Sequence, residues 1–136
     1  MNKKDTVVFD LDGTLLDTLE DLKNSVNYAM TQCGYPEHTL DEVRRYVGNG
    51  ILLLMQRAIP GGKDDPNFDK AFTLFKEHYG KHCNDTTKPY AGIMELLHTL
   101  KENNIKIAIV SNKADFAVKE LNAIYFKDLI PVAIGE

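Results

Sequence analysis

The sequence predicts an α/β fold: strands alternating with helices in a parallel sheet, interrupted early by an inserted all-helical domain. Three observations carry this reading. Thr6-Val7-Val8-Phe9 is an apolar, β-branched run that ends at Asp10-Leu11-Asp12-Gly13, a buried strand feeding a polar turn. Residues from about 17 to 84 show only helical periodicity. Beyond them the order is helix, strand, helix, strand, the pattern of right-handed βαβ units. The core is therefore expected over residues 1–16 and 85–136 and the helical insertion over 17–84.

Taken in order, a strand over about 5–10 comes first. Leu19, Leu22, Val26, Ala29, Met30 and Cys33 then recur at helical spacing, with Thr18 placed to cap and Gly34 to stop a helix of about 18–33. Thr39 with Glu42 has the form of a capping box, so a helix over about 40–47 should stop at Gly48-Asn49-Gly50. A third covers about 51–58. Asp65-Pro66 would start a fourth over about 66–82, lined on one face by Phe68, Phe72, Phe75 and Tyr79. Asn84 to Pro89 reads as a linker. Ile93, Leu96, Leu97 and Leu100 mark a helix of about 91–103, Asn103-Asn104 a turn, and Ile105 to Val110 a strand. A helix of about 113–123 and a strand of about 131–134 complete the chain.

With 136 residues, 43% apolar, 26% charged and a net charge of -4, the chain has the composition of a globular protein, and neither a disordered nor a membrane protein. The acidic balance and the lack of a Lys/Arg cluster argue against a nucleic-acid partner. Cys33 and Cys83 make no disulfide framework, and the N-terminus lacks the apolar core of a signal peptide, so the expected compartment is the cytoplasm.

In open parallel sheets ligands bind beyond the carboxyl ends of the strands. Asp10, Asp12, Ser111 and Asn112 all fall at such ends, so two distant parts of the chain should converge. Alternate residues of an extended segment share a face, which would aim both acids at one reacting group. A phosphate dianion beside them would be repelled by ~4 kcal/mol per charge pair at 4 Å and an effective dielectric of 20, so a cation is required. Hard oxygen ligands suit Mg²⁺. Gly13 and Thr14 would let backbone N–H groups approach an anion, and Ser111 with Asn112 would add further donors.

Asp10-Leu11-Asp12-Gly13-Thr14 resembles the first motif of the haloacid dehalogenase-like (HAD) phosphohydrolase superfamily, and Val110-Ser111-Asn112 resembles its second. The insertion after the first motif is similar to the family's helical cap. With Leu15-Leu16-Asp17-Thr18 and Ser111-Asn112-Lys113, the layout is most like that of the phosphoglycolate phosphatases. The resemblance implies a Rossmann-like parallel sheet, an incomplete HAD core, with the helical cap inserted. It implies that Asp10 attacks phosphorus and becomes an aspartyl-phosphate, and that Asp12 is the acid/base. It also implies that Asp10's carboxylate and Asp12's backbone carbonyl hold Mg²⁺ and that Ser111 hydrogen-bonds the phosphoryl group of a small phosphorylated metabolite.

The third-motif lysine and the further acids of the metal site lie, in the family pattern, beyond Ile134-Gly135-Glu136. Lys113 sits beside the second motif and is grouped with the phosphate-binding residues for its charge. Little turnover is therefore expected from these 136 residues alone. The family layout also places the first strand centrally, so Val7–Asp10 would form an exposed apolar edge here, and self-association through it is expected.

Two rivals remain: a phosphosugar mutase of the same superfamily and a non-catalytic binding module. His78, His82 and Cys83 are read as a helix end rather than a metal cluster, because no second ligand pair has matching spacing. Gly48-Asn49-Gly50 and Gly61-Gly62-Lys63-Asp64 are loops without a nucleotide-binding fingerprint, although the former could still face substrate at a helix N-terminus. Arg44, Arg45 and Arg57 are candidate anion contacts but read first as surface charges. Asp17 reads as a cap or linker residue.

Overall fold

A computed structural model describes residues 5–136. The elements in chain order are β1 (Thr6–Phe9), β2 (Leu16–Asp17), α1 (Leu19–Gln32), α2 (Leu40–Tyr46), α3 (Ile51–Ala58), a 3₁₀ turn (Gly62–Asp64), α4 (Phe68–His82), β3 (Lys88–Pro89), α5 (Ile93–Glu102), β4 (Lys106–Val110), α6 (Asp115–Tyr125) and β5 (Val132–Ile134). They form two compact units. Met1–Asp17 with Lys88–Glu136 make the α/β unit, and Thr18–Thr87 make the helical unit.

The α/β unit is built on a parallel sheet of order β1-β4-β5. Register places Phe9 opposite Ile109 and Val110 opposite Ile134, so the three strands end side by side. Alternation then sorts the side chains. Ile107, Ile109 and Ala133 point into a core shared with Leu97 of α5 and with Ala117, Val118 and Leu121 of α6. Val8, Val110, Val132 and Ile134 stand on the opposite face and are 48–60% exposed. A two-stranded antiparallel pair, β2 with β3, pairs Leu16 with Pro89 and Asp17 with Lys88. Segment 84–89, read from sequence as linker, thus ends in a strand. Two residues are too few to show a period, and Asp17 is part of this pair.

In the helical unit, α1 packs chiefly against α4. Val26, Ala29 and Met30 of α1 and Phe68, Ala71, Phe75 and Tyr79 of α4 are buried, so the aromatic stripe is core except at half-buried Phe72, whose ring carries Lys76 Nζ at 4.5 Å. Helix ends follow local chemistry. Gly34 at φ +77 closes α1 with Tyr35 N–H on the Met30 carbonyl (2.8 Å) and Gly34 N–H on Thr31 (3.2 Å), a Schellman stop. Thr39 and Glu42 form the expected capping box. Asp65-Pro66 does not start α4; Asn67 is its N-cap, because the Asp65 carboxylate instead accepts Tyr35 hydroxyl and the Asn67 N–H.

The chain crosses between the units at 17/18 and at 87/88. Buried Asp21, in the first turn of α1, holds the second crossing on the helical side. Its carboxylate accepts the N–H and hydroxyl of both Thr86 and Thr87 at 2.7–3.1 Å.

Candidate active site

The first acids sit where β1 runs out. Asp10 is exposed, and its Oδ1 accepts the Leu11 N–H at 2.8 Å. Leu11 turns inward and is fully buried, which leaves the two acids on either side of an anchored apolar residue. Its carbonyl accepts the N–H groups of Thr14, Leu15 and Leu16 at 3.0–3.3 Å, winding the chain into a tight loop. Gly13 makes that loop possible with φ +76, and its N–H donates to the Leu16 carbonyl at 3.0 Å. The N–H groups of Gly13 and Thr14 close the turn, and both residues are exposed.

The second group of residues follows β4, next to β1. Ser111 extends the ladder by donating its N–H to Ile134 (3.0 Å), while its Oγ accepts the Lys113 N–H at 3.1 Å. Asn112 is exposed on the same loop. Lys113 was expected inside the last helix, but α6 begins at Asp115. The reason is a set of bonds to the end of β5: Glu136 N–H donates to the Lys113 carbonyl (2.8 Å) and Asp115 N–H to the Glu136 carbonyl (3.2 Å). The Asp115 carboxylate accepts Lys119 Nζ at 2.6 Å and the Gly135 N–H at 2.8 Å. Lys119 first, and that N–H second, hold its carboxyl below the usual range. Sequence periodicity carries no signal for this stitching.

The two loops meet at an ion pair. Lys113 Nζ lies 3.0 Å from Asp12 Oδ1, with the lysine side chain 1% and the aspartate side chain 26% exposed. A buried ammonium persists only when a counter-charge compensates its lost hydration, and Asp12 provides it. Lys113 is thus turned onto an acid of the first motif and away from solvent.

The remaining candidates belong to the helical unit. Arg57 donates to the Tyr46 carbonyl (2.8 Å) and to Asn49 Oδ1 (3.1 Å), bracing the Gly48–Gly50 loop, and Arg44 pairs with Asp41. His78 Nδ1 lies 2.8 Å from Ser25 Oγ, with its ring stacked on Tyr28 and His82. Burial, then the neighbouring His82, push its pKa down. His82 Nδ1 lies 2.7 Å from Asp85. A groove of about 420 Å³ lined by Lys23, Asn24, Tyr28 and His78 among others contains none of the predicted site residues.

A family model for haloacid dehalogenase-like hydrolases matches residues 7–136. The chain belongs to that family. It is similar to phosphoglycolate phosphatases of Thiobacillus denitrificans, with 36% identity over 80% of this chain and 50% of the relative, and of Nitrosospira multiformis, with 34% identity over 95% and 59%. A crystal structure of a putative phosphoglycolate phosphatase from Lactobacillus delbrueckii subsp. bulgaricus superimposes with a TM-score of 0.87 at 29% identity, over 99% of this chain and 66% of that one. The chain therefore spans about half the length of the curated relatives it matches, and the α/β fold with a parallel sheet is the HAD-like, Rossmann-like fold.

HAD phosphatases generally use Mg²⁺, and the donors here fit that ion in part. Asp10 offers an exposed carboxylate of the hard-oxygen type. Among the described residues no three His, Cys, Asp or Glu side chains gather into a metal-binding group.

Proposed function

We propose that this chain carries the nucleophile-bearing part of a Mg²⁺-dependent phosphomonoester hydrolase of phosphoglycolate phosphatase type. The observation that supports it best is the meeting of the two loops, Asp12 against Lys113, at the carboxyl ends of adjacent parallel strands. Asp10 attacks phosphorus, forming an aspartyl-phosphate as the alkoxide leaves. Asp12 donates the proton that neutralises the alkoxide, then takes one from the water that hydrolyses the acyl phosphate, restoring Asp10 and releasing inorganic phosphate. Ser111 Oγ already accepts the Lys113 N–H, so its own proton is available to a phosphoryl oxygen, and Asn112, Gly13 and Thr14 complete the proposed phosphate-binding set. When bound, Mg²⁺ would sit on Asp10's carboxylate and Asp12's backbone carbonyl and offset the charge of the phosphate against the acids.

The substrate is a small phosphorylated metabolite, met in the cytoplasm, and the helical unit is the cap that selects its leaving group. A polypeptide of these 136 residues alone gives little or no turnover, and it self-associates through β1, which is paired only with β4 among the described residues. No helix among the described residues is long and apolar enough to cross a membrane.

The test is phosphate release from phosphoglycolate by the native protein that carries these residues. Asp10→Asn should lower turnover by at least about a thousandfold, the scale of losing a covalent route; undiminished turnover overturns the assignment. Isomerised sugar phosphate in place of free phosphate would establish the mutase alternative.

A further inference from the structure

Lys113 was grouped with phosphate ligands because a lysine beside the second motif could meet an anion. Its placement assigns it another partner. The side chain is 1% exposed, its Nζ is 3.0 Å from Asp12 Oδ1, and its backbone is fixed at both ends: N–H on Ser111 Oγ at 3.1 Å, carbonyl on Glu136 N–H at 2.8 Å. We propose that Lys113 is a positioning residue that aims the Asp12 carboxylate from the neighbouring strand end, rather than a group that binds the transferring phosphate.

Asp12 stands on a loop wound around the Leu11 carbonyl, and its carboxylate is partly exposed. The Lys113 ammonium meets that carboxylate from the β4 loop, and because it is buried it has little freedom to leave for a solvent-side anion. The same contact couples the two motif loops. Ser111 is held by the lysine's N–H and Asp12 by its Nζ, so one residue relates the hydroxyl that meets the phosphoryl group to the acid/base that meets the leaving group. A displacement of about 1 Å in such a constellation is worth roughly a hundredfold in rate. A phosphate ligand would behave otherwise: its loss weakens ground-state binding as well.

This inference rests on the hydrolase reading, and the experiment separates the two. On the native protein, Lys113→Met should lower kcat by about tenfold to a hundredfold. KM and the inhibition constant of inorganic phosphate should stay within about twofold, and Lys113→Arg should recover part of kcat by restoring a cation on Asp12. A rise of about tenfold or more in both KM and the phosphate inhibition constant, with kcat kept, would make Lys113 a phosphate ligand and overturn the proposal. If the wild-type protein releases no phosphate, the hydrolase reading fails. The pairing is then tested by a double-mutant cycle of Asp12→Asn and Lys113→Met in thermal unfolding: coupling upholds the contact, and strict additivity overturns it.

Discussion

Single side chains in this protein take roles that their type alone does not announce. Asp21 is in an amphipathic helix whose spacing assigns its apolar neighbours to the core, yet its own carboxylate is 1% exposed and gathers four donors from residues 65 and 66 positions away. Such a group is sensitive to truncation, because removing the acceptor takes from the buried Thr87 N–H its Asp21 partner, while the Thr87 hydroxyl keeps the Cys83 carbonyl (3.1 Å) and the exposed Thr86 can turn to water. Asp21→Ala should cost about 1–3 kcal/mol of unfolding free energy, seen as a lower denaturant midpoint at unchanged m-value. A loss under about 1 kcal/mol would mean that the Thr86–Thr87 segment finds other partners. Lys113 makes the same point for the site. Its residue type suggested a free cation, whereas burial and pairing make it part of the scaffold around Asp12.

At the scale of elements, end chemistry was legible and long-range ends were not. Gly34, Asn103-Asn104 and the Thr39/Glu42 box are local signals, and each terminates or starts a helix as the sequence reading expects; Asn104 even adopts φ 60, the left-handed stop usually left to glycine. The start of α6 is different, because the bonds that delay it come from β5. Gly135 is central to that junction. A Cβ there would lie 2.5 Å from both the Asp115 Cα and the Lys113 carbonyl oxygen, backbone atoms that cannot swing aside. Gly135→Ala should therefore destabilise the α/β unit by about 1–3 kcal/mol. It should also shift the amide resonances of Ser111–Asp115; spectra that change only at residue 135 and its neighbours in sequence would refute the close approach.

For the whole molecule, the sheet raises a question that no single element does. One face is packed by α5 and α6, whereas Val8, Val110, Val132 and Ile134 lie on a face that remains 48–60% exposed, next to a β1 edge with no partner strand among the described residues. Apolar surface of this kind favours association with another chain. A polypeptide of these 136 residues should sediment above its monomer mass at micromolar concentration, and Val8→Lys should shift it back towards monomer. A cleanly monomeric wild-type species would contradict the proposed association.

The sequence by itself determined the α/β class, the order of the main helices and strands, and the two motifs that carry the candidate chemistry. These rest on periodicity, caps and short-range spacing, which one chain displays in full. Only the tertiary structure decided that Gly13 and Thr14 use their N–H groups to close a turn and that Lys113 faces Asp12. It alone showed that Asp21 clamps Thr86 and Thr87 and that Leu16-Asp17 pairs with Lys88-Pro89. Each of these depends on which distant residue arrives at a given place. Burial then settles the outcome, since a charge or an N–H group removed from water must take whatever partner the fold brings to it.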